Sequence, residues 1–380
     1  MQTRVIRIDA PKGKAGRFEA SAVGRQIAPA VRALRAGKLV AFPTETVYGL
    51  GAIATDSHAV ARLRKVKNRP KSPFTVLISS PDEAKRYVKE IPIPARTLLQ
   101  KAWPGPVTVL LPVAGKFTHR SSQNRALFRR IAPDGMVGLR CPDHPVAQLL
   151  LGRLGKPLLA PSANLAGKSP PRSPEDVLAQ LDGRIDMLID AGGTRYAKAS
   201  TIVSFRPGGY KVVREGVLDA GAIDRMIRRR ILFVCTGNTC RSPIASALAK
   251  KMLADHLGCK PGELEKFGQE VLSAGVFTAA GAPATVKAVK AASELGGDAK
   301  KHRSKKLTSG LIDSVDLIFC MGRNHLDAVV RQSPAASGKT FLLDETGDIE
   351  DPIGGDSQTY LRTAGRIERS LKKRIKENLL

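Results

Sequence analysis

Short apolar segments alternate with helix-like segments along this chain, and the alternation starts again at residue 231. In this second series, residues 231–234 (Ile-Leu-Phe-Val) are followed by a helix pattern that begins at Pro243. Strands that alternate with helices in this way are typical of α/β domains, in which helices cover a sheet. A chain of 380 residues has room for two or three such domains. The sequence therefore predicts an α/β protein with at least two domains.

A short basic segment before the second series is the candidate domain boundary. It has the pattern of a short helix or linker and runs into three consecutive arginines. The last part of the chain has its own apolar helix face, as an independent core requires, formed by Leu361, Ala364, Ile367, Leu371 and Ile375. We predict a basic N-terminal extension (residues 1–24), a first domain (residues 25–218), a basic linker (residues 219–229) and a second domain (residues 230–380).

Positive charge dominates the first part of the chain. The formal net charge at pH 7 is +28, and most of the basic excess precedes residue 230. We expect an anionic partner there, such as a nucleotide or a nucleic acid, although a basic proteome would produce the same composition.

Cysteine usage and hydropathy indicate a cytoplasmic protein. The five cysteines are too few and too scattered for a disulfide framework, and no apolar stretch is long enough to cross a membrane. The basic N-terminus lacks the apolar core of a signal peptide. We therefore expect a cytoplasmic location and no membrane partner.

The segment 235–243 carries the clearest chemical signal in the sequence. Cys235 and Arg241 are separated by five residues, and the loop between them joins a buried strand to a helix that starts near Pro243. The backbone N–H groups of such a loop and the helix N-terminus bind one phosphate group, and an arginine adds a two-pronged contact. The same positive field is expected to lower the pKa of Cys235 and make it a thiolate nucleophile.

An acid for the leaving group lies near the end of the chain. Asp351 and Pro352 occur in a predicted loop before the last helix, and Gly354 and Gly355 follow. From this loop, Asp351 would protonate the leaving atom and then activate the water that hydrolyses a phosphocysteine.

These segments resemble the low-molecular-weight protein tyrosine phosphatase family, across residues 230–380. The resemblance implies a Rossmann-like four-stranded parallel sheet and hydrolysis without a metal or cofactor. It implies Cys235 as nucleophile, Arg241 as phosphate ligand and Asp351 as general acid. The phosphate loop would comprise Thr236, Gly237, Asn238, Thr239, Cys240 and Ser242. Within this loop, Ser242 would stabilise the thiolate, and Cys240 would protect the nucleophile by forming a disulfide with it.

Two positions bear on the substrate of this domain. Phosphotyrosine phosphatases of the family usually have a bulky aliphatic residue where this chain has Thr239, and tyrosines after the Asp-Pro pair, where this chain has Ile353 and glycines. Thr239 is similar to the bacterial protein-arginine phosphatase branch, in which the threonine helps to select phosphoarginine. We expect a phosphorylated protein substrate carrying phosphoarginine, with phosphotyrosine as the second candidate.

Three polar segments interrupt the apolar elements of the first domain. Residues 43–49 are rich in hydroxyl groups, residues 67–73 are basic and broken by proline, and residues 161–164 (Pro-Ser-Ala-Asn) follow a buried run. Hydroxyl groups and basic side chains together are suited to the phosphates of a nucleotide. The sequence has no Walker-type phosphate loop.

The first domain resembles the threonylcarbamoyl-AMP synthase family, which has a YrdC-type domain, at residues 43–51, 103–108, 137–142, 161–164, 200–203 and 213–216 and at Lys67, Arg69 and Gly167. The resemblance implies a twisted α/β sheet around a basic concavity. It also implies that L-threonine, bicarbonate and ATP, with Mg²⁺ on the triphosphate, form L-threonylcarbamoyl-adenylate and pyrophosphate. The product would serve the threonylcarbamoyladenosine modification of tRNA, so that tRNA or a tRNA-modifying complex would be a partner.

The same resemblance implies ligand roles by position. Thr46 and Arg140 would hold threonine, and Arg140 would pair with its carboxylate. The nucleotide and its phosphates would contact Lys67, Arg69, Ser72, Ser162, Asn164, Ser200 and Arg214. No dedicated metal cluster is visible in the sequence.

Other interpretations stay open on the sequence alone. In one, the first domain is a non-catalytic module that binds double-stranded RNA, fused to a protein tyrosine phosphatase. The basic stretch from Lys116 to Arg130 has two interpretations: it is either a loop that contacts RNA or an insertion that only faces solvent. In another, the second domain is a degenerate regulatory cap, although all its expected catalytic residues are present. The sequence does not indicate why two activities share one chain.

Overall fold

The apolar segments of the two series form the strands of two separate sheets. The chain folds into two compact units, Met1–Met226 and Ile227–Leu380. The structure is a computed structural model, and it describes residues 2–8, 20–69, 73–88, 90–113, 122–206 and 208–377. Within these ranges, no helix is both long enough and apolar enough to span a bilayer.

The first unit contains a ten-stranded mixed sheet. Its strands, in chain order, are β1 (Arg4–Arg7), β2 (Val40–Phe42), β3 (Gly49–Ile53), β4 (Val76–Leu77), β5 (Val107–Pro112), β6 (Met136–Arg140), β7 (Leu158–Leu159), β8 (Met187–Asp190), β9 (Thr201–Arg206) and β10 (Gly209–Arg214). Their order across the sheet is β1-β8-β2-β3-β7-β4-β6-β5-β9-β10. Parallel and antiparallel pairs alternate irregularly, as β5 is parallel to β9 but antiparallel to β6.

Helices of the first unit bury apolar faces against this sheet. They are α1 (Ala20–Arg35), α2 (Ser57–Lys67), α3 (Ile93–Ala102), α4 (Ser122–Ile131), α5 (Pro145–Leu154), α6 (Pro174–Leu181) and α7 (Ala220–Ile227), with a 3₁₀ helix at Pro81–Arg86. Helices α1 and α5 share one core with β2 and β8, to which they contribute Ile27, Leu34, Leu150 and Leu154. Burial of such side chains is the main source of stability for the unit.

The second unit contains a four-stranded, fully parallel sheet. Its strands are β11 (Arg229–Cys235), β12 (Gln269–Gly275), β13 (Leu317–Cys320) and β14 (Thr340–Leu342), in the order β12-β11-β13-β14. The helices are α8 (Arg241–Leu257), α9 (Val286–Glu294), α10 (Ser309–Asp313), α11 (Arg323–Gln332) and α12 (Ser357–Lys376), with 3₁₀ helices at Pro261–Phe267 and Pro334–Lys339. The predicted fold class, a mixed α/β sheet followed by a Rossmann-like four-stranded parallel sheet, is confirmed.

The topology of the second sheet determines where its site lies. From β11 the chain crosses to β12 on one side and later continues to β13 on the other side. Ligands of open α/β sheets bind beyond the carboxyl end of the strand at such a switch point. Cys235 is the last residue of β11, so the predicted nucleophile stands at this position.

The predicted segment limits stay predictions, but three structural facts bear on them. Strand β1 lies within the predicted extension and pairs in parallel with β8. Helix α7 occupies most of the predicted linker, and β11 already begins at Arg229. In the first turn of helix α12 the buried side chain is Tyr360, whereas Leu361, which the apolar pattern placed on the buried face, is 37% exposed. The buried face therefore begins one residue earlier in the chain than the apolar pattern indicates.

Candidate active sites

The loop 236–240 joins β11 to α8 and forms the predicted phosphate cradle. Asn238 lies in the left-handed region, with φ of 53°, a conformation that asparagine adopts more readily than most residues. Gly275, at the end of β12, passes so close to the loop that a Cβ atom there would stand 2.6 Å from the Thr236 carbonyl oxygen. The local backbone therefore explains why a glycine stands at that strand end.

The Cys235 thiol is buried within this loop. Cys235 Sγ and Ser242 Oγ lie 2.9 Å apart, and the Asn238 backbone N–H donates to Cys235 Sγ at 3.3 Å. Burial raises the pKa of the thiol, while Ser242, Arg241 and the Asn238 N–H oppose this effect. The prediction of a lowered pKa for Cys235 is therefore wrong for this arrangement, because the burial of a thiolate outweighs the contacts that stabilise it.

The Arg241 guanidinium links the cradle to the predicted acid. Its Nη2 forms a short ion pair with Asp351 Oδ2 and donates to Thr236 Oγ1 at 3.1 Å. Its Nη1 donates to the Ile349 carbonyl oxygen at 3.0 Å. The structure thus brings together Cys235, Arg241 and Asp351, although Asp351 is 110 residues away from Arg241 in the chain.

Two histidines, which the sequence analysis missed, support the loop. His302 Nε2 lies 2.7 Å from the Asn238 carbonyl oxygen, and His325 Nε2 lies 2.9 Å from Thr236 Oγ1. The His325 side chain is buried, and burial together with Arg241 lowers its pKa to about 4. It is therefore neutral near pH 7. Neither histidine is close to the loop in sequence, so no local motif indicates them.

Cys240 is the last residue of the loop, and its side chain is buried. Its Sγ lies 3.3 Å from the Tyr360 hydroxyl and 3.6 Å from Thr285 Oγ1. Both Cys235 and Cys240 are free thiols in the structure. Gly237 and Thr239 complete the loop, and Thr239 contributes its carbonyl oxygen to a hydrogen bond from the Thr285 N–H at 2.9 Å.

In the first unit, predicted ligands from five separate segments line one cavity of about 200 Å³. The cavity lies where the predicted polar segments meet the ends of several strands. Hydroxyl groups of Thr44, Thr75 and Thr108 add polar surface that the predicted ligand set did not include. The predicted residues on its wall are Arg69, Arg140, Ser162, Ser200 and Arg214.

Arg140, the last residue of β6, forms a buried ion pair. Its Nη2 donates to Glu45 Oε1 at 2.8 Å, and both side chains are at most 8% exposed. The other oxygen, Glu45 Oε2, is buried and has no hydrogen-bond partner among the described residues. A buried carboxylate of this kind holds a guanidinium in a fixed orientation. Glu45 lies within the polar segment 43–49, but its partnership with Arg140 was not predicted.

Arg214 and Ser200 form another part of the wall. Arg214 Nη2 donates to the Ser200 carbonyl oxygen at 2.7 Å and to Ser200 Oγ at 3.3 Å. Burial lowers the pKa of Arg214, and the nearby charges of Arg140 and Arg69 lower it further. The three guanidinium groups therefore repel one another across one cavity, an arrangement that an anionic ligand would relieve.

Lys67, Asn164 and Thr46 do not line the cavity but lie directly behind it. Lys67 ends α2, and its ammonium donates to Asn164 Oδ1 at 3.0 Å, to the Ser162 carbonyl oxygen at 2.7 Å and to the Asn164 carbonyl oxygen. Asn68, with φ of 45°, ends the helix and turns the chain so that Arg69 reaches the cavity. Thr46 Oγ1 lies 2.9 Å from Thr44 Oγ1, which is on the wall.

Two predicted features lie wholly or partly outside the described residues. Ser72 is one, so its predicted nucleotide contact is not described. The other is the basic stretch from Lys116 to Arg130, the beginning of which lies outside the described residues. Arg130, at the end of the stretch, donates from Nη1 to the carbonyl oxygens of Ala54 and Thr55, at 3.3 and 3.2 Å. Among the described residues, no group of three or more His, Cys, Asp and Glu side chains is placed to hold a metal ion.

The fold and these two sites define a chain of two α/β units, one with three arginines on a single cavity and one with a cysteine and an arginine on a single strand-to-helix loop. Residues 32–216 match the Sua5/YciO/YrdC family model, described as telomere recombination. Residues 230–379 match the family model described as low molecular weight phosphotyrosine protein phosphatase. The chain belongs to both families, one for each unit, and the predicted resemblances are confirmed.

Individual relatives agree with this division. A threonylcarbamoyl-AMP synthase of Pyrococcus abyssi is 38% identical over 197 residues, which are 51% of this chain and 55% of the relative. One of Chromohalobacter salexigens is 36% identical over 184 residues, 48% of this chain and 94% of the relative. A protein-arginine-phosphatase of Geobacillus stearothermophilus is 40% identical over 155 residues, 40% of this chain and 95% of the relative.

Solved structures share the fold. A doubly substituted form of Sua5 from Pyrococcus abyssi has a TM-score of 0.50 and 26% identity, over 72% of this chain and 91% of that chain. The chain spans only about half the length of the synthases of Pyrococcus abyssi and Bacillus subtilis that it matches.

Proposed function

We propose that the first unit forms L-threonylcarbamoyl-adenylate and pyrophosphate from L-threonine, bicarbonate and ATP. The observation that carries this proposal is the convergence of Arg69, Arg140 and Arg214 on one cavity lined by serine and threonine hydroxyls. The substrates are all anions or carry a carboxylate, so their assembly requires several fixed positive charges. The relatives named as threonylcarbamoyl-AMP synthases support the same assignment.

The proposed reaction joins two anionic groups. The amine of threonine and bicarbonate form a carbamate with loss of water, and a carbamate oxygen then attacks the α-phosphorus of ATP. The bond to the β-phosphate breaks, and pyrophosphate leaves with the electron pair. Arg140, held by Glu45, would pair with the threonine carboxylate. Arg69 and Arg214 would bind the phosphates, and the turn containing Ser162 and Asn164 would border the nucleotide.

Magnesium would arrive with the triphosphate as part of the substrate. The wall of the cavity offers hydroxyl groups from Thr44, Thr108 and Ser200. Such neutral oxygens fit a cation that already carries phosphate and water ligands better than a site that must bind the bare ion.

The test of this proposal is threonine-dependent release of pyrophosphate by the purified chain. We expect release only when threonine, bicarbonate, ATP and Mg²⁺ are all present. A non-catalytic module that binds double-stranded RNA would release none, and the buried, charge-paired ligand set does not favour that alternative.

We further propose that the product is passed to tRNA or a tRNA-modifying complex in the cytoplasm, where the free thiols of the second unit stay reduced.

The synthase reaction is expected to become slower above about pH 8. Burial, with a contribution from Arg69, lowers the pKa of Lys67 to about 8. Below that pH the ammonium carries all three donors that hold the turn at Ser162 and Asn164, and above it one donor is lost. The value of kcat/KM for ATP should therefore fall as the pH rises through 8. Lys67→Arg keeps its charge, so a variant that retains the same decline would contradict this assignment.

We propose that the second unit hydrolyses a phosphorylated protein through a phosphocysteine intermediate. The observation that carries this proposal is the grouping of Cys235, Arg241 and Asp351 around one loop at the helix N-terminus. The match to the phosphatase family and the protein-arginine-phosphatase relative support it. Turnover of p-nitrophenyl phosphate by the purified chain tests it in the simplest way, and its absence would contradict the proposal.

The proposed hydrolysis has two displacements at phosphorus. The Cys235 thiol passes its proton to a phosphate oxygen of the substrate, and the resulting thiolate attacks phosphorus. The bond to the leaving atom breaks, and Asp351 gives its proton to that atom. Asp351 then takes a proton from water, whose oxygen displaces the cysteine sulfur and releases phosphate. In the structure Arg241 pairs with Asp351. A bound phosphoryl group would take over the Arg241 guanidinium and release the Asp351 carboxylate for protonation, while the loop N–H groups would bind its oxygen atoms.

We further propose phosphoarginine as the substrate residue. The Thr239 side chain is small and polar, and Ile353 follows Pro352 where phosphotyrosine phosphatases of the family usually have tyrosines, so the segment after the Asp-Pro pair supplies no aromatic surface to pack on a phenyl ring. We expect Thr239→Ile to reduce kcat/KM for phosphoarginine peptides by about tenfold or more and to spare phosphotyrosine peptides, because an aliphatic wall supplies no polar contact to a guanidino group. A parent enzyme that prefers phosphotyrosine would show that Thr239 is not the determinant.

A further inference from the structure

The three most exposed large apolar side chains among the described residues all lie next to the phosphate loop. Val286 is 85% exposed, Phe277 is 83% exposed and Ile353 is 69% exposed. The next in order, Val213 of the first unit, is 53% exposed. Scattered apolar residues are ordinary on a protein surface, but a concentration at one place marks an interaction site. We call Phe277, Val286 and Ile353 the apolar rim.

Each member of the apolar rim is held close to the reacting groups by the backbone. The Phe277 N–H donates to the Thr236 carbonyl oxygen at 3.0 Å. Val286 follows Thr285, whose N–H donates to the Thr239 carbonyl oxygen at 2.9 Å. The Ile353 N–H donates to Asp351 Oδ1 at 3.3 Å. The rim therefore borders the phosphate loop on two sides and the acid on a third.

A further contact joins the separate segments that carry the apolar rim. Lys287 Nζ, at the start of α9, donates to the Gly355 carbonyl oxygen at 2.6 Å. This bond connects the segment of Val286 to the loop of Ile353. Two of the three rim segments are thus tied to each other, which reduces the backbone freedom that a ligand would have to restrict.

The depth of the site determines what must cover this border. Cys235 is 2% exposed and Arg241 is 6% exposed, so a phosphoryl group has to enter a buried loop at the end of a long side chain. The polypeptide on both sides of the phosphorylated residue then lies across the apolar rim. Polar flanking residues would lose hydration there without gaining partners, whereas apolar ones would bury surface favourably.

We propose that the apolar rim is a docking surface for substrate proteins in which apolar side chains flank the phosphorylated residue. The proposal rests on the proposed phosphatase activity of the same site and names a preference that the phosphate loop itself does not supply. It assigns recognition to Phe277 and Val286, neither of which belongs to the reacting groups. The occupant is the substrate chain rather than a second copy of this protein, because each rim residue lies beside the phosphate loop or the acid, which a phosphorylated residue has to reach.

The test compares two phosphoarginine peptides in the full chain, one with leucine and one with serine on both sides of the phosphorylated residue. The third substrate, p-nitrophenyl phosphate, has no flanking residues. The variants are Phe277→Ser and Val286→Ser, and Val213→Ser is the matched control for loss of an exposed apolar side chain elsewhere. We expect the parent to prefer the leucine peptide by about tenfold in kcat/KM. Each rim variant should lose most of that preference, because only the leucine peptide buries apolar side chains on the rim.

The outcomes separate this proposal from the one on which it rests. Equal kcat/KM for the two peptides in the parent, with active hydrolysis of p-nitrophenyl phosphate, would overturn the docking surface and leave the phosphatase intact. No hydrolysis of any of the three substrates would overturn the phosphatase activity itself. A dimer in solution that Val286→Ser converts to a monomer would assign the rim to a second copy of the chain and would also overturn the proposal.

Discussion

Replacing Cys235 by serine is expected to abolish phosphatase turnover while leaving threonine-dependent pyrophosphate release unchanged. The serine hydroxyl has a far higher pKa than a thiol, so no nucleophilic anion forms at the end of β11. Loss of a nucleophile of this kind costs at least about 10³-fold in kcat. The residues proposed to bind the synthase substrates all belong to the other compact unit, so the substitution does not alter them. Both activities are measured on the same preparation, with p-nitrophenyl phosphate and with ATP plus threonine.

Cys259→Ser is the matched control for Cys235→Ser. Cys259 is a free, partly exposed thiol beyond the C-terminal end of α8, whereas the phosphate loop precedes the N-terminal end of that helix. The control should keep both activities within about twofold, as surface substitutions usually do. If Cys235→Ser removed both activities while remaining folded, the assignment of two independent sites to the two units would be wrong. If phosphatase turnover survived, another residue would have to be the nucleophile.

The sequence predicts the second unit better than the first because its defining features are local. The Cys-x5-Arg spacing lies within a single strand–loop–helix unit, so neighbouring residues determine both the fold and the position of the nucleophile. Strand β1 was instead assigned to an extension, since its four residues have too little pattern to indicate a strand. Its pairing with β8 depends on residues more than 180 positions away.

The candidate sites show the same limit. Arg69, Ser162 and Arg214 were predicted from short segments and do line one cavity. The contact of Glu45 with Arg140 joins residues 95 positions apart, and the contact of His325 with Thr236 joins residues 89 positions apart. Such partners follow only from the packing of distant elements. The pKa of Cys235 was mispredicted for a related reason, since the degree of burial is a property of the whole fold.

Replacing Arg140 by alanine is expected to cause the largest loss of synthase activity. The substitution removes the group proposed to bind the threonine carboxylate, and it leaves Glu45 as a buried carboxylate without its partner. Truncating one member of a buried, hydrogen-bonded charge pair reduces binding by about 10²- to 10³-fold. We therefore expect kcat/KM for threonine to fall by that factor, with phosphatase turnover unchanged. Pyrophosphate release measured against threonine concentration gives the value directly.

The loss in Arg140→Ala has two sources, which a second variant separates. Glu45→Gln keeps the Arg140 guanidinium and its hydrogen-bond partner but removes the buried negative charge, so KM for threonine should rise much less than in Arg140→Ala. Arg195→Ala is the control for an arginine in an exposed pair, with Asp143, and should have little effect, because exposed ion pairs contribute little. If Arg140→Ala unfolded the first unit, pyrophosphate release would vanish at every threonine concentration. A rise in KM that high threonine overcomes would instead show that Arg140 binds the substrate.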